Sequence, residues 1–327
     1  MTETSYSISA IAQGVAAARK RIGDRICNTP VIRSTLYGED LYYKADNFQH
    51  TGSFKIRGAM SKLTKLLESH KAEDLKLITA SSGNHGIGAS LAAADLGLSM
   101  TVVLPTNVPT MKLDRIKANG ATALLEGAEA GASEDHAKDH AKRDGYVYVS
   151  PYNDPEIIAG QGTIGLELLE AFGDRKIDNV FIAVGGGGLI SGIGAAIKNV
   201  SPNTKIWGVS ALNSAAFYAS LKQGRVVETE HLPTLAEAVA GGVDTNTITL
   251  GIAQQVVDES LLCGEEDIER CFRTLALEEG MVVEGAAALA LAGYEQVRAD
   301  LKGQTSVVLL CGGNIDGEQA RQLLASQ

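Results

Sequence analysis

NVFIAVGGGGLISGIGAAIKNV, residues 179–200, decides the fold. An apolar run, 179–184, stops at four consecutive glycines, Gly185, Gly186, Gly187 and Gly188, and an apolar helical pattern begins at Leu189. Where a strand hands over to a helix through glycines, backbone N–H groups can close on an anion, and the helix adds its positive end. The spacing is not G-x-G-x-x-G with a later acidic residue, and no Lys-Ser or Lys-Thr follows as in a P-loop. A single phosphate fits such a loop better than a dinucleotide or ATP.

Two further glycine-bearing turns occupy the same place after apolar runs: SSGNHG (81–86) follows Lys76–Ala80, and CGGN (311–314) follows Ser306–Leu310. The remaining expected strands are Leu41–Ala45, Thr101–Leu104, Ala121–Glu126, Tyr146–Ser150, Asn179–Val184 and Lys205–Val209. Helical patterns lie between them, as at Phe54–Glu68, Gly86–Asp95, Glu156–Ala171 and Leu189–Asn199. Alternation of this kind predicts an α/β protein with mostly parallel sheets. The strands are Val/Ile/Leu-rich rather than alternating, as expected when helices cover both faces. Ligands of open α/β sheets bind at the carboxyl ends of strands, where all three turns lie.

The chain has 327 residues, 45% of them hydrophobic and 21% charged, enough for one large or two interleaved domains. A formal net charge of −10 argues against nucleic acid as a partner. Cys27, Cys263, Cys271 and Cys311 form no C-x-x-C pair, which suits a reducing, cytoplasmic setting. The opening MTETSYSISA has no basic start followed by an apolar run, so no secretory signal is expected. The most apolar stretch, Phe181–Val200, is broken by six glycines and Lys198, so no membrane span is expected.

Among candidate chemical groups, Lys55 stands in TGSFKIRGA (51–59), where it opens a helix after a Thr-Gly-Ser turn between Phe54 and Ile56. A lysine desolvated by such neighbours loses proton affinity and becomes a usable nucleophile or base. Ser81, Ser82 and Asn84 suit helix capping, and the same helix N-terminus can hold a carboxylate. His136 and His140 are spaced i,i+4 but lack the H-E-x-x-H context, and no Gly-x-Ser-x-Gly elbow occurs.

Taken together, GSFKIRGA (52–59), SSGNHG (81–86), AGQGTIGLELL (159–169), GGGGLISG (185–192) and CGGN (311–314) resemble the threonine dehydratase and serine racemase branch of the fold-type II, tryptophan-synthase-β-like enzymes that use pyridoxal phosphate (PLP). The resemblance runs in register from about Thr29 to Asp316. It implies two open three-layer α/β/α domains, a large one of residues 1–72 plus 150–327 and a small inserted one of 73–149, and a homodimer. It implies a β-elimination that converts a small 3-hydroxy-amino acid such as L-threonine or L-serine into a 2-oxo acid and ammonia. Lys55 would carry PLP as a Schiff base and move protons at the substrate Cα. Phe54 would pack against the cofactor ring and Asn84 would bond its phenolic oxygen. Gly185, Gly186, Gly187 and Gly188 would hold its phosphate. Ser81, Ser82, Asn84 and His85 would surround the substrate carboxylate.

The chain departs from that pattern in places. Cys311 stands where the residue facing the pyridine nitrogen is usually serine or threonine; a thiol is still a weak donor. Ser210, Ala211 and Ala216 occupy positions where related enzymes hold a divalent cation with acidic residues, so no metal is expected. The position near Glu134 offers no arginine for a second substrate carboxylate. Tyr152 stands where serine racemases carry asparagine, and Gly241-Gly242 alters the far wall of the substrate pocket. Two alternatives follow. Ser82 matches the proton shuttle of racemases, which with Lys55 would permit racemization. Gly241-Gly242 and VVEGAAA (282–288) resemble dehydratases of hydroxyectoine breakdown, which would act on a less common hydroxy-amino acid.

Overall fold

The structure is a computed structural model that describes residues 6–108, 110–128 and 130–325; the first five residues of the opening MTETSYSISA stretch lie outside the described residues. Among the described residues, ten strands form two sheets: β1 (Val31–Arg33), β2 (Leu41–Ala45), β3 (Leu77–Ala80), β4 (Met100–Leu104), β5 (Thr122–Leu125), β6 (Val147–Tyr148), β7 (Asn179–Ala183), β8 (Lys205–Ala211), β9 (Glu259–Cys263) and β10 (Ser306–Leu310). The six-stranded sheet runs β1-β2-β10-β7-β8-β9, and the four-stranded sheet runs β5-β4-β3-β6. Among these strands β1 alone is antiparallel to its neighbour, and the other strand pairs are parallel. The fold is α/β, as the strand–helix alternation predicts.

Central strands β7 and β10 are buried along their whole length. The helix Gly285–Val297, rich in alanine, packs on β7 and β10, and the helix Gly188–Val200 lies against β7 and β8. The central strands thus find apolar helical cover along their whole length, which is why they carry no polar alternation. In the smaller sheet, the helices Asn84–Asp95 and Ala130–Asp144 pack on β3 and β4.

Three details differ from the sequence reading. β1 and β9 are additional strands, both at sheet edges and partly exposed. Edge strands bury one side only, so their sequences lack the apolar signature of β7 or β10. The expected strand Tyr146–Ser150 pairs only at Val147–Tyr148, although Val149 still donates to Ile78 O at 2.8 Å. No helix among the described residues is long and apolar enough to cross a membrane.

A buried ion network braces the helix that begins at Lys55. Arg57 is fully buried and donates to both oxygens of Asp46 (2.8 and 2.9 Å) and to Glu167 (2.5 and 2.9 Å). Lys44, on β2, is likewise buried and reaches Glu167 at 2.6 Å. These contacts pin the helix Lys55–Leu67 to β2 and to the helix Pro155–Phe172. Buried charges persist only when paired and hydrogen-bonded in this way.

Candidate active site

The cavity lies at the carboxyl ends of β7 and β10 and is lined by Phe54, Lys55, Asn84, Tyr152, Gly185–Gly188, Glu284 and Cys311, among others. Lys55 gets there through backbone lacing. Gly52, at φ 72°, turns the chain; Ser53 bridges to Gly312; Phe54 N donates to Cys311 O at 3.1 Å; and Gly313 N donates to Gly52 O at 2.8 Å. The turn before Lys55 is therefore fastened to the turn after β10. The Lys55 amine donates to Pro151 O at 2.9 Å and lies 5.2 Å from the Phe54 ring centre. Burial lowers its pKa to about 8, partly countered by the negative charges of Glu284 and Glu134.

The glycine loop is shaped by close neighbours. A Cβ on Gly186 would fall 2.4 Å from Tyr152 Cγ, and one on Gly185 would fall 2.8 Å from Val239 O. Gly187 caps the helix Gly188–Val200 at φ 81°, a left-handed conformation that side chains resist. The first amides of that helix have no intrahelical partner, which is the property an anion uses. Thr249 Oγ1 fixes the loop from outside by donating to Gly186 O at 2.7 Å.

Asn84 opens the helix Asn84–Asp95 and faces the cavity. Its Nδ2 donates to both oxygens of Glu284, and its Oδ1 accepts from Asn314 Nδ2 at 2.7 Å. Glu284 is only 7% exposed and also accepts from Asn314 N at 3.3 Å. Burial raises its pKa. Sequence reasoning missed Glu284 as a site residue; the signal was a single carboxylate in VVEGAAA, just before an alanine-rich helix. Cys311, 2% exposed, is held as a thiol, because burial and the nearby Glu284 charge push its pKa well up.

The rest of the SSGNHG turn sits differently. Ser81 and Ser82 are partly exposed, Ser81 Oγ accepts from Gly83 N at 3.2 Å, and neither serine lines the cavity. His85 is 2% exposed and points its Nε2–H at Val149 O, 3.0 Å away. Its Nδ1 is buried without a partner. Burial, reinforced by Lys55, lowers its pKa to about 3, so the ring is neutral. Tyr152 lies against the glycine loop, and its Oη accepts from Asp244 N at 2.8 Å.

Residues 22–312 match the family model described as pyridoxal-phosphate dependent enzyme. The chain is 38% identical over 285 residues to an L-threonine ammonia-lyase of Thermotoga maritima, covering 87% of this chain and 70% of that one. Among solved structures, the processed form of threonine deaminase isoform 2 from Solanum lycopersicum superposes with a TM-score of 0.88 at 30% identity, over 97% of this chain and 88% of that one. Maize serine racemase superposes with a TM-score of 0.86 at 27% identity, over 95% of each. A desolvated lysine, a glycine cradle and a family match across most of the sequence agree, and the chain belongs to the pyridoxal-phosphate dependent enzyme family.

Proposed function

We propose that this chain is an ammonia-lyase that removes the β-hydroxyl of a small 3-hydroxy-amino acid such as L-threonine or L-serine, yielding a 2-oxo acid and ammonia. The observation that carries the reading is one cavity holding a desolvated amine, a side-chain-free cradle and a buried neutral thiol. These residues fit PLP: Lys55 would hold it, Gly185–Gly188 its phosphate, Phe54 its ring face, Asn84 its phenolic oxygen and Cys311 its ring nitrogen. When bound, the cofactor supplies an electron sink for the electrons released at the substrate Cα.

The protein's own part is positional and acid–base. With a pKa near 8, the Lys55 amine is about half neutral at pH 8, far more than an ordinary lysine, and can take up a proton at Cα. Cys311, as a thiol rather than a cation, cannot protonate the ring nitrogen strongly. With the cofactor bound, such a partner would leave a weaker electron sink, which suits loss of the β-hydroxyl. Ser81, Ser82, Asn84 and His85 would receive the substrate carboxylate at the start of the helix Asn84–Asp95, where amides without helical partners and the helix dipole favour an anion. Neutral His85 adds no competing charge there. Tyr152 closes the substrate side.

Ammonia release from PLP-loaded protein is the test. Turnover of L-threonine or L-serine supports the reading; none, with cofactor bound, rejects it. A second reading, racemization by Lys55 and Ser82, draws on the likeness to maize serine racemase and on the hydroxyl of Ser82 two residues before cavity-lining Asn84. D-serine formed from pure L-serine, read by chiral chromatography, would support it. We further assign residues 73–149, which contain the four-stranded sheet, to the small domain and the remainder to the large one. The protein is taken to be a cytoplasmic homodimer, checked by sedimentation and fractionation.

A further inference from the structure

Behind Tyr152 lies a cluster that the chemistry above does not use. Asp244, whose amide holds the Tyr152 hydroxyl, accepts from Lys138 Nζ at 2.8 Å and from Asn153 Nδ2 at 3.2 Å. Lys138 also pairs with Glu134 at 2.9 Å, one turn away on the helix Ala130–Asp144. Glu134 in turn accepts from the Tyr148 hydroxyl at 3.0 Å. The side chains of Glu134, Lys138 and Asp244 are 20–31% exposed, so the group is partly screened from water. Two carboxylates share one ammonium, which leaves a net charge of −1. Tyr152 lines the cavity and its hydroxyl is held by the Asp244 amide at 2.8 Å, so the cluster stands directly behind a cavity-lining ring. Arg115, which reaches Asn314 at 2.9 Å and Thr51 O at 3.4 Å, is engaged at the Asn84 side instead.

We propose that Glu134 and Asp244, bridged by Lys138, form a net-negative wall that sets the charge of the substrate side chain: hydroxy-amino acids with neutral or cationic side chains are admitted, and dicarboxylic ones are rejected. The inference rests on the ammonia-lyase reading and deepens it. The physical reason is that a second carboxylate would enter a partly desolvated space already carrying uncompensated negative charge, where like-charge juxtaposition is costly. Lys138 cannot answer it freely, because both existing carboxylates hold its ammonium.

The holoenzyme is titrated with L-aspartate, L-asparagine and L-2,4-diaminobutyrate, which carry no β-hydroxyl. Binding is read by calorimetry and by the change in cofactor absorbance. Aspartate is expected to bind at least about tenfold more weakly than asparagine, with diaminobutyrate no weaker than asparagine. Glu134→Gln, which brings the wall to neutrality, narrows the gap; Lys138→Gln, which brings it to −2, widens it. The two variants move in opposite directions, so misfolding of either leaves the other as the test. Ammonia release from L-serine, L-threonine and L-threo-3-hydroxyaspartate is measured alongside, with hydroxyaspartate expected to be the poorest. Equal binding of aspartate and asparagine, or a gap that neither variant moves, overturns the proposal. Ammonia release without the charge order sinks this inference alone, whereas the charge order without ammonia release from any substrate sinks the ammonia-lyase reading alone.

Discussion

The Asn84 amide donates to both oxygens of Glu284, at 2.8 and 3.0 Å, across 200 residues of sequence. That pairing settles the Asn84 side-chain orientation: with Nδ2 committed to a carboxylate and Oδ1 to Asn314, the amide cannot turn over. Glu284→Gln replaces an acceptor pair by an amide that must itself choose a direction. A hydrogen bond to a charged group contributes about 1.5–3 kcal/mol, so PLP affinity or kcat/KM should fall by roughly 10- to 100-fold. Fluorescence titration of the apo-protein with PLP and steady-state kinetics separate the two. Wild-type values in both would show that Glu284 does not govern Asn84.

Lys55 should reveal its lowered pKa when it captures the cofactor. An amine attacks an aldehyde only when neutral, and the neutral fraction rises with pH through the pKa. The rate of PLP capture by apo-protein should therefore climb and level off with a midpoint near pH 8 rather than near the ordinary lysine value of about 10.4. Stopped-flow absorbance measures it. Lys55→Ala should abolish the absorbance of protein-linked cofactor; an unchanged spectrum in that variant would remove Lys55 from the site.

Gly186 has no room for a methyl group. In Gly186→Ala the new Cβ would be 2.4 Å from Tyr152 Cγ, so the loop or the ring must move. Overpacking of this kind costs about 1–3 kcal/mol, and here it should emerge as weaker PLP binding. Tyr152→Ala in the same chain makes space and should recover part of the affinity. A double-mutant cycle on the PLP dissociation constant tests the coupling, and strict additivity would argue that the two residues do not touch.

Arg57 is the centre of the ion network beneath Lys55. Arg57→Met strands Asp46 in a dry interior and leaves Glu167 to Lys44 at 2.6 Å and the longer Arg19 contact at 3.4 Å. Removal of one partner of a buried pair costs about 3–5 kcal/mol. The urea midpoint should drop accordingly, with the m-value preserved if unfolding stays two-state. A midpoint at the wild-type value would mean that water reaches the network.

The parts of the fold legible in the sequence share a cause. β7, the glycine loop and the helix after it are consecutive, and each is specified by local chemistry: an apolar run, glycines where a side chain would collide, and an apolar helical stripe. The same holds for β3, β10 and their turns. The edge strands β1 and β9 escaped notice because pairing, not composition, makes them strands. In the site, TGSFKIRGA identified Lys55 as a candidate amine, whereas Glu284 was passed over as an ordinary carboxylate.

Local sequence by itself determined the α/β alternation, the glycine turn at 185–188 and the presence of a lysine able to enter an apolar setting, because each depends on neighbours within one strand–turn–helix unit. Only the tertiary structure decided which groups share the cavity and what their charges are. His85 became a neutral ring turned to Val149, Asn84 acquired Glu284, and Lys138 came to join Glu134 to Asp244 across 106 residues. Desolvation and Coulomb interaction depend on what surrounds a group in space, and for these residues the surroundings come from distant segments of the chain.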